Sequence, residues 1–201
     1  MDPITHPMHP RMTALWPLPF YTKKRVDNFS KIQKELQEAY THYEPEDFWD
    51  AHQVTDRKFS INVLEECNCK YFIEELDYSI KEYCKYLNFY SNYKIIESWF
   101  ATFNPNEFAH IHYHLPADMS GAYYIRSNGE DGDIFFEDAN PLMITSKLFI
   151  SEQYRLSPVE GGLMLFPSWL KHGVNRNKTN NIRISLSFNI IFEKDNLLTS
   201  I

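Results

Sequence analysis

The polarity pattern of the first half of the chain predicts α-helices. In one stretch the apolar residues fall three or four positions apart, with Lys and Glu between them: Val26, Phe29, Ile32, Leu36 and Tyr40. A second stretch, from about Tyr71 to Leu87, has the same spacing, at Phe72, Ile73, Leu76, Ile80, Tyr83, Cys84 and Leu87. Both patterns are typical of amphipathic helices with one face in a core. Asn28 or Ser30 could cap the first helix.

The second half of the chain has the pattern of short β-strands. Runs rich in β-branched and aromatic residues occupy 94–104, 120–126, 133–137, 142–150, 162–166, 170–175 and 182–192. Turn-forming dipeptides such as Asp131-Gly132 separate several of them, and all six glycines lie between Gly121 and Gly173. Many short strands with no helical pattern between them predict an antiparallel sandwich or barrel.

The last run shows the clearest alternation. Ile182, Ile184, Leu186, Phe188 and Ile190 take one face, and Arg183, Ser185, Ser187 and Asn189 take the other. Because successive strand residues point to opposite sides, one face of this strand is apolar and the other is polar. The polar face would line either the mouth of the barrel or the solvent.

Composition limits the possible partners. The chain has 201 residues, 43% hydrophobic and 16% aromatic, which is enough for the core of a single domain. Its 20 basic and 27 acidic residues give a formal net charge of −7. An acidic protein has no general electrostatic attraction to nucleic acid or to an anionic membrane, so both are disfavoured as partners. No pattern identifies an oligomeric interface.

The sequence also predicts a cytoplasmic protein. No apolar run approaches the roughly 20 residues of a membrane-spanning helix, and the N-terminal sequence lacks the apolar stretch of a secretory signal. The three cysteines are Cys67, Cys69 and Cys84. An odd and small number of cysteines argues against a disulfide scaffold and favours a reducing compartment.

Three histidines of one short segment are candidate metal ligands. His110, His112 and His114 occupy alternating positions. On an extended chain, residues two apart point to the same side, so their imidazoles would share one face. Neutral imidazole is a common ligand of iron, zinc and copper. Taken alone, the cluster fits a metal site no better than it fits a solvent-exposed polar face or histidines with hydrogen bonds in the core.

A second group of candidates lies further along the chain. The apolar strand that follows Gly161-Gly162 leads through Pro167 to His172, and Arg183 stands on the polar face of the last strand, two positions before Ser185. A fixed guanidinium beside a hydroxyl is suited to holding a carboxylate. Its neighbours on that face are uncharged, which favours a binding role for Arg183 over a solvent-exposed charge.

Four segments, namely 112–114, 120–124, 166–172 and 183–189, together resemble the iron(II)/2-oxoglutarate-dependent oxygenase superfamily. They look most like a small, largely uncharacterised branch that is frequent in phage and marine bacterial sequences and related to prolyl hydroxylases. The resemblance implies a double-stranded β-helix, a cupin-like jelly roll, as the catalytic core over 94–192. The helical and extended segment over 1–93 is expected to support this core, within one domain of 1–201.

The resemblance also implies a role for individual residues. Compared position by position, His112 and His172 match metal ligands. Arg183 matches the arginine that pairs with the far carboxylate of 2-oxoglutarate, and Ser185 would assist it. Tyr124 matches a tyrosine that often touches the same cosubstrate.

One position departs from the family pattern. The usual ligand set is two histidines and one carboxylate, but His114 stands where the acid is expected. Either His112, His114 and His172 form a three-imidazole site, or Asp118 supplies the carboxylate, or His110 and His112 are the true pair. We favour the first arrangement.

The expected activity is Fe(II)-, O2- and 2-oxoglutarate-dependent hydroxylation of an unknown small molecule, peptide or protein. Trp99, Tyr123, Phe135 and Trp169 are candidate pocket residues, although strand aromatics more often belong to a core. Two other functions stay open. One is a cupin-like three-histidine metalloprotein that does not use 2-oxoglutarate, and the other is a non-catalytic jelly-roll module.

Overall fold

Helices precede most of the strands in the chain order. The computed structural model describes residues 18–43, 45–48, 52–55, 61–139 and 153–193. Within these ranges the helices are α1 (Phe29–Tyr40), α2 (Val63–Glu66) and α3 (Lys70–Tyr86). The strands are β1 (Tyr21–Lys23), β2 (Pro45–Phe48), β3 (His52–Thr55), β4 (Tyr93–Phe103), β5 (Ala109–His112), β6 (Met119–Arg126), β7 (Ile134–Glu137), β8 (Gln153–Leu156), β9 (Leu163–Pro167), β10 (His172–Val174) and β11 (Arg183–Phe192).

The strands of the described residues form two antiparallel sheets. The larger sheet has the order β1-β9-β6-β11-β4-β3-β2, and the smaller has the order β5-β10-β7-β8. Tyr124 and Phe166 of the larger sheet pack against Ile134 and Phe136 of the smaller sheet. Two facing antiparallel sheets connected in this way form a jelly roll. The predicted fold class, mainly β with supporting N-terminal helices, is therefore confirmed.

The helices cover the outer face of the larger sheet. The buried side chains Ile32 and Leu36 of α1 and Phe72 of α3 belong to one core with β6, β9 and β11. Phe72 lies 5.2 Å from the ring of Tyr123 and 6.0 Å from that of Phe188, measured between ring centroids. The helices thus bury one face of this sheet and leave its other face to the interior of the sandwich.

Strand β11 lies between β4 and β6 and determines which residues face that interior. Its apolar set, which includes Ile184, Leu186 and Ile190, packs in the helix-side core as predicted. Its polar set, which includes Arg183 and Ser185, faces the smaller sheet. The alternation read from the sequence therefore gives the correct face for each of these side chains.

Most of the predicted elements are present with shifted ends. The first helix begins at Phe29, directly after Asn28, rather than at Val26. The side chain of Asn28 makes no capping hydrogen bond. The second predicted helix is α3, shifted by one residue at each end. The strand expected at 142–150 lies outside the described residues, and β1, β2, β3 and β8 were not expected.

No helix in the described part of the chain is both long and apolar enough to span a membrane. The three cysteines are free thiols, and Cys69 and Cys84 are buried beside the helices. This agrees with the prediction of reduced thiols.

Candidate active site

Three imidazoles meet at one end of the interior between the sheets. His112 ends β5 and is the direct partner of His172 in β10. His114 follows two residues after the end of β5. One ligand atom from each of the three residues lies within 4.8 Å of the others. The ring centroids are 4.4 Å apart for His112–His172, 4.9 Å for His112–His114 and 5.2 Å for His114–His172.

Backbone carbonyls orient two of these rings. Nδ1 of His112 lies 2.6 Å from the carbonyl oxygen of His110, and Nδ1 of His172 lies 2.8 Å from that of Leu170. A carbonyl oxygen only accepts hydrogen bonds, so Nδ1 carries the hydrogen and Nε2 keeps its lone pair. Such a carbonyl contact is the usual way in which a metal-binding histidine is fixed.

The environment keeps His172 neutral. Burial, and to a lesser extent the nearby His112, lower the pKa of His172 to about 3, although the hydrogen bond to the Leu170 carbonyl acts in the opposite direction. At neutral pH the ring therefore holds no second proton, and its lone pair is available to a metal ion.

A β-bulge separates His110 from the cluster. His172 pairs with His112 and Val174 pairs with Ala109, so the two pairs are three positions apart in β5 but only two positions apart in β10. The extra residue breaks the alternation, so Ala109 and His112 both face the interior. His110 is exposed on the outside, with its ring 4.8 Å from that of Phe108. The expectation that all three histidines of this segment share one face is wrong for this reason.

Asp118 does not join the cluster either. Its Oδ2 accepts a hydrogen bond of 2.8 Å from the backbone N–H of Phe192. Among the described residues, no Asp or Glu completes a metal-binding group with the imidazoles. The geometry thus brings together His112, His114 and His172, and leaves the other two candidates outside.

Arg183 lies deeper between the sheets, on the larger one. It is 1% exposed, Nη1 donates a 2.6 Å hydrogen bond to the Gly132 carbonyl, and the guanidinium carbon lies 3.9 Å from the centroid of the Phe103 ring. Its Nε is buried without a hydrogen-bond partner. Burial lowers the pKa of Arg183, but arginine remains charged in proteins. A buried cation with an unused donor is suited to receive an anion.

One small cavity connects the imidazoles with Arg183. Its volume is about 70 Å³, and its lining includes the three histidines, Arg183, Ser185 and Tyr124. Ser185 and Tyr124 are partners across β11 and β6. Burial raises the pKa of Tyr124 to about 12, so its hydroxyl stays protonated and can donate. A small dicarboxylate could reach a metal ion at one end and the guanidinium at the other.

Of the four predicted pocket residues, one lines this cavity. Trp99 does so, with its ring centroid 5.5 Å from that of His114. Tyr123 faces the helices and donates a 3.1 Å hydrogen bond to Oε1 of Gln33. Phe135 lies along a groove on the outer face of the smaller sheet, and Trp169 is 46% exposed. Alternation along β6 would have predicted that Tyr123 faces away from Tyr124.

Two residues at Arg183 were missed by the sequence analysis. Phe103, which stacks on the guanidinium, follows Trp99 and Ala101 on the same face of β4, so alternation could have found it. Gly132 was noted only as part of a turn, and nothing local in the sequence indicates that its carbonyl meets Arg183.

A jelly roll with a cluster of imidazoles inside one end defines a class of metal-dependent proteins that includes many oxygenases. Residues 97–189 match the family described as "Putative 2OG-Fe(II) oxygenase". Over these residues the chain is similar to the 2OG-Fe(II) oxygenase family, as the resemblance predicted. The predicted class of enzyme, an oxidoreductase that uses Fe(II), 2-oxoglutarate and O2, is confirmed at the level of this family. No curated protein matches the sequence.

Solved structures share the fold at low sequence identity. A 2OG-Fe(II) oxygenase family oxidoreductase from Burkholderia pseudomallei superposes with a TM-score of 0.64 at 9% identity, covering 86% of this chain and 84% of that one. A prolyl-4-hydroxylase from Pseudomonas putida gives 0.60 at 15% identity, covering 88% and 94%. HygX from Streptomyces hygroscopicus, solved with nickel and 2-oxoglutarate bound, gives 0.63 at 10% identity, covering 86% and 82%. The similarity to phage and marine bacterial sequences stays a prediction.

Proposed function

We propose that this protein is an Fe(II)- and 2-oxoglutarate-dependent dioxygenase that hydroxylates a substrate not yet identified. His112, His114 and His172 would hold the iron. Arg183 would bind the far carboxylate of 2-oxoglutarate, and the hydroxyl groups of Ser185 and Tyr124 would complete this subsite.

One observation carries the proposal. The buried Arg183, whose Nε has no hydrogen-bond partner, lines the same small cavity as the three imidazoles. A charged group without a full set of hydrogen bonds is costly inside a protein. A carboxylate in the cavity would satisfy this donor and neutralise the charge. The donor set therefore fits a dicarboxylate that also chelates a metal ion at the imidazoles.

The bound iron and cosubstrate supply the oxidation in enzymes of this class: 2-oxoglutarate and O2 give succinate and CO2, and the second oxygen atom enters a C–H bond of the substrate. The chain supplies the surroundings. The carbonyls of His110 and Leu170 keep Nε2 of two imidazoles as lone-pair donors. Phe103 and Tyr124 flank Arg183 and exclude water from the anchor.

An anaerobic titration with Fe(II) and 2-oxoglutarate tests the proposal, because the chelate gives a weak visible charge-transfer band. We expect the band with the wild-type protein. Arg183→Met keeps the side-chain volume and removes the charge, so it should retain metal binding and lose 2-oxoglutarate binding. Arg155→Gln is the control, since Arg155 is exposed on β8, bonded to Gln153. Unchanged 2-oxoglutarate affinity in Arg183→Met would contradict the assignment.

A second candidate function follows from the ligand set. Three neutral imidazoles leave a divalent ion more positive than two imidazoles and a carboxylate do, which alters its redox behaviour. A three-histidine metalloprotein that does not use 2-oxoglutarate would bind metal without the charge-transfer band and without forming succinate. A non-catalytic jelly-roll module would be purified without stoichiometric iron.

We also propose the setting of this activity. The net charge of −7 supports a small molecule, peptide or protein rather than nucleic acid as the substrate. Three free thiols support a reducing, cytoplasmic compartment. Activity with isolated nucleic acid would contradict the first of these proposals.

A further inference from the structure

His114 differs from the other two imidazole residues in what holds it. His112 and His172 are partners in the strand ladder, so hydrogen bonds between strands fix their backbone. His114 lies beyond the end of β5, in a turn over residues 114–117 that is closed by a 3.0 Å hydrogen bond from the Ala117 N–H to the His114 carbonyl. We call this segment the His114 turn.

The residues directly before and after His114 contribute little packing to this turn. The side chains on both sides of His114 point outward: Tyr113 is 53% exposed and Leu115 is 60% exposed. In the interior the His114 ring lies beside Trp99 and the other two imidazoles. Hydrogen bonds therefore contribute to holding the turn in place.

Both ends of the His114 turn are bonded to one residue, Ser168. The Ser168 carbonyl accepts a 2.9 Å hydrogen bond from the backbone N–H of His114. The Ser168 hydroxyl donates to the carbonyl of Ala117 at the other end of the turn. Ser168 is completely buried and Ala117 is 3% exposed, so water does not readily replace this second bond.

Ser168 also belongs to the segment that carries the next imidazole. It follows β9 directly and precedes His172 by four positions. The hydroxyl thus connects the segment that carries His112 and His114 with the segment that carries His172. This connection is additional to the pairing between β5 and β10. Partners of this kind orient metal ligands, and their loss usually weakens metal binding while the ligands themselves remain.

We propose that Ser168 is a positioning residue for His114, which stands where related sites have a carboxylate. This inference rests on the proposed function only in taking His114 as a metal ligand. Without the hydroxyl the turn would lose one of its two bonds to Ser168, and the imidazole of His114 would no longer be held at the distance that the cluster requires.

Co(II) titration followed by its visible d–d absorption tests the proposal, because the spectrum reports on the number and kind of ligands. We expect Ser168→Ala to weaken Co(II) binding roughly 10-fold and to shift the spectrum toward that of His114→Ala. Ser91→Ala is the matched control. Its hydroxyl also donates to a distant backbone carbonyl, that of Glu193 at 2.7 Å, and neither residue lines the cavity that holds the imidazoles.

A double variant separates positioning from a general effect on the fold. If Ser168 acts through His114, Ser168→Ala should cost no further affinity in a His114→Ala background. An equal loss in both backgrounds, or no loss in either, overturns the proposal. The loss of one hydrogen bond is small relative to the stability of a domain of this size, so folded protein is expected. Ser168→Thr keeps the hydroxyl and should keep the affinity.

These experiments distinguish a failure of the role proposed for Ser168 from a failure of the proposed function. If the wild-type protein binds Co(II), the coupling between Ser168 and His114 holds and 2-oxoglutarate does not bind, the proposed function fails and the positioning role stands. If 2-oxoglutarate binds and the coupling is absent, the reverse is true. If the wild-type protein does not bind Co(II), both are overturned.

Discussion

His112 and His172 are direct partners across the antiparallel strands β5 and β10, and their ring centroids are 4.4 Å apart. The separation of these two candidate ligands is therefore set by the hydrogen bonds of the smaller sheet. Because a metal ion would bind only where this pairing is formed, metal binding and the folding of the smaller sheet should be linked.

Removal of one of the two histidines that pair across β5 and β10 should abolish tight metal binding. His172 is buried beside the other two imidazoles, and its Nδ1 is bonded to the Leu170 carbonyl, which leaves Nε2 for a metal ion. His172→Ala should therefore weaken Co(II) binding by more than the roughly 10–100-fold that follows loss of an outer partner. His110→Ala is the control from the same histidine-rich segment. We expect it to bind Co(II) like the wild-type protein in calorimetric titrations, and a comparable loss in both variants would restore His110 as a ligand.

The loop at Gly132 should control cosubstrate binding. A Cβ at Gly132 would lie 2.3 Å from the Asn175 carbonyl oxygen, and the φ of +106° strains any other residue. Gly132→Ala should therefore displace the carbonyl that holds Arg183, at a cost of about 1–3 kcal/mol, and weaken 2-oxoglutarate binding. Chemical unfolding and 2-oxoglutarate titration measure the two effects.

Gly129 offers a matched control in the same loop. Its φ is +87°, but a Cβ there would meet nothing closer than 3.8 Å. Gly129→Ala should cost roughly 1–2 kcal/mol of stability through backbone strain alone. It should leave the affinity for 2-oxoglutarate unchanged, and an equal loss of that affinity in both variants would count against a specific role for the Gly132 carbonyl.

The interface between α3 and the larger sheet should dominate stability. Phe72 is completely buried against Tyr123 and Phe188. Phe72→Ala should lower the free energy of unfolding by about 3–5 kcal/mol because it leaves a cavity. Tyr86→Ala, at the exposed end of the same helix, should have little effect in urea unfolding. Similar losses in the two variants would mean that α3 is not packed as described.

The three thiols should differ in reactivity. Burial raises the pKa of Cys69 to about 12, with smaller contributions from Glu35 and Cys67, and burial also raises the pKa of Cys84. A raised pKa lowers the thiolate fraction at pH 8, and the thiolate is the reactive form. Only the half-buried Cys67 should react quickly with a thiol reagent in the native protein.

Denaturation and one substitution check this assignment. All three thiols should react at once in strong denaturant, and Cys67→Ser should remove the fast phase in native protein. As the pH rises toward 12, Cys69 should gain reactivity provided that the fold persists. Two fast thiols at pH 8 would contradict the burial of Cys69 and Cys84.

The residues that sequence analysis placed correctly are those whose face follows from alternation in a regular strand. Arg183 and Ser185 face the interior because the apolar set of β11 must face the helices. His110 was placed wrongly because one extra residue in β5 reverses the alternation. A bulge depends on the partner strand, so the local sequence does not reveal it.

Long-range backbone contacts were also beyond the sequence. Asp118 was a candidate for the missing carboxylate ligand, but its carboxylate accepts a hydrogen bond from the N–H of Phe192, which is far away along the chain. The Gly132 carbonyl at Arg183 and the Ser168 hydroxyl at Ala117 are contacts of the same kind. Each depends on how two distant segments meet, and polarity patterns carry no such information.

The candidate metal ligands belong to the smaller sheet and the segments beside it, whereas the carboxylate anchor belongs to β11 of the larger sheet. A molecule that binds both would link the two sheets of the sandwich and stabilise the folded state. At a free concentration 100-fold above its Kd, such a ligand adds about 2.7 kcal/mol to the free energy of unfolding. The concentration of that molecule would then affect the stability of the protein as well as its activity.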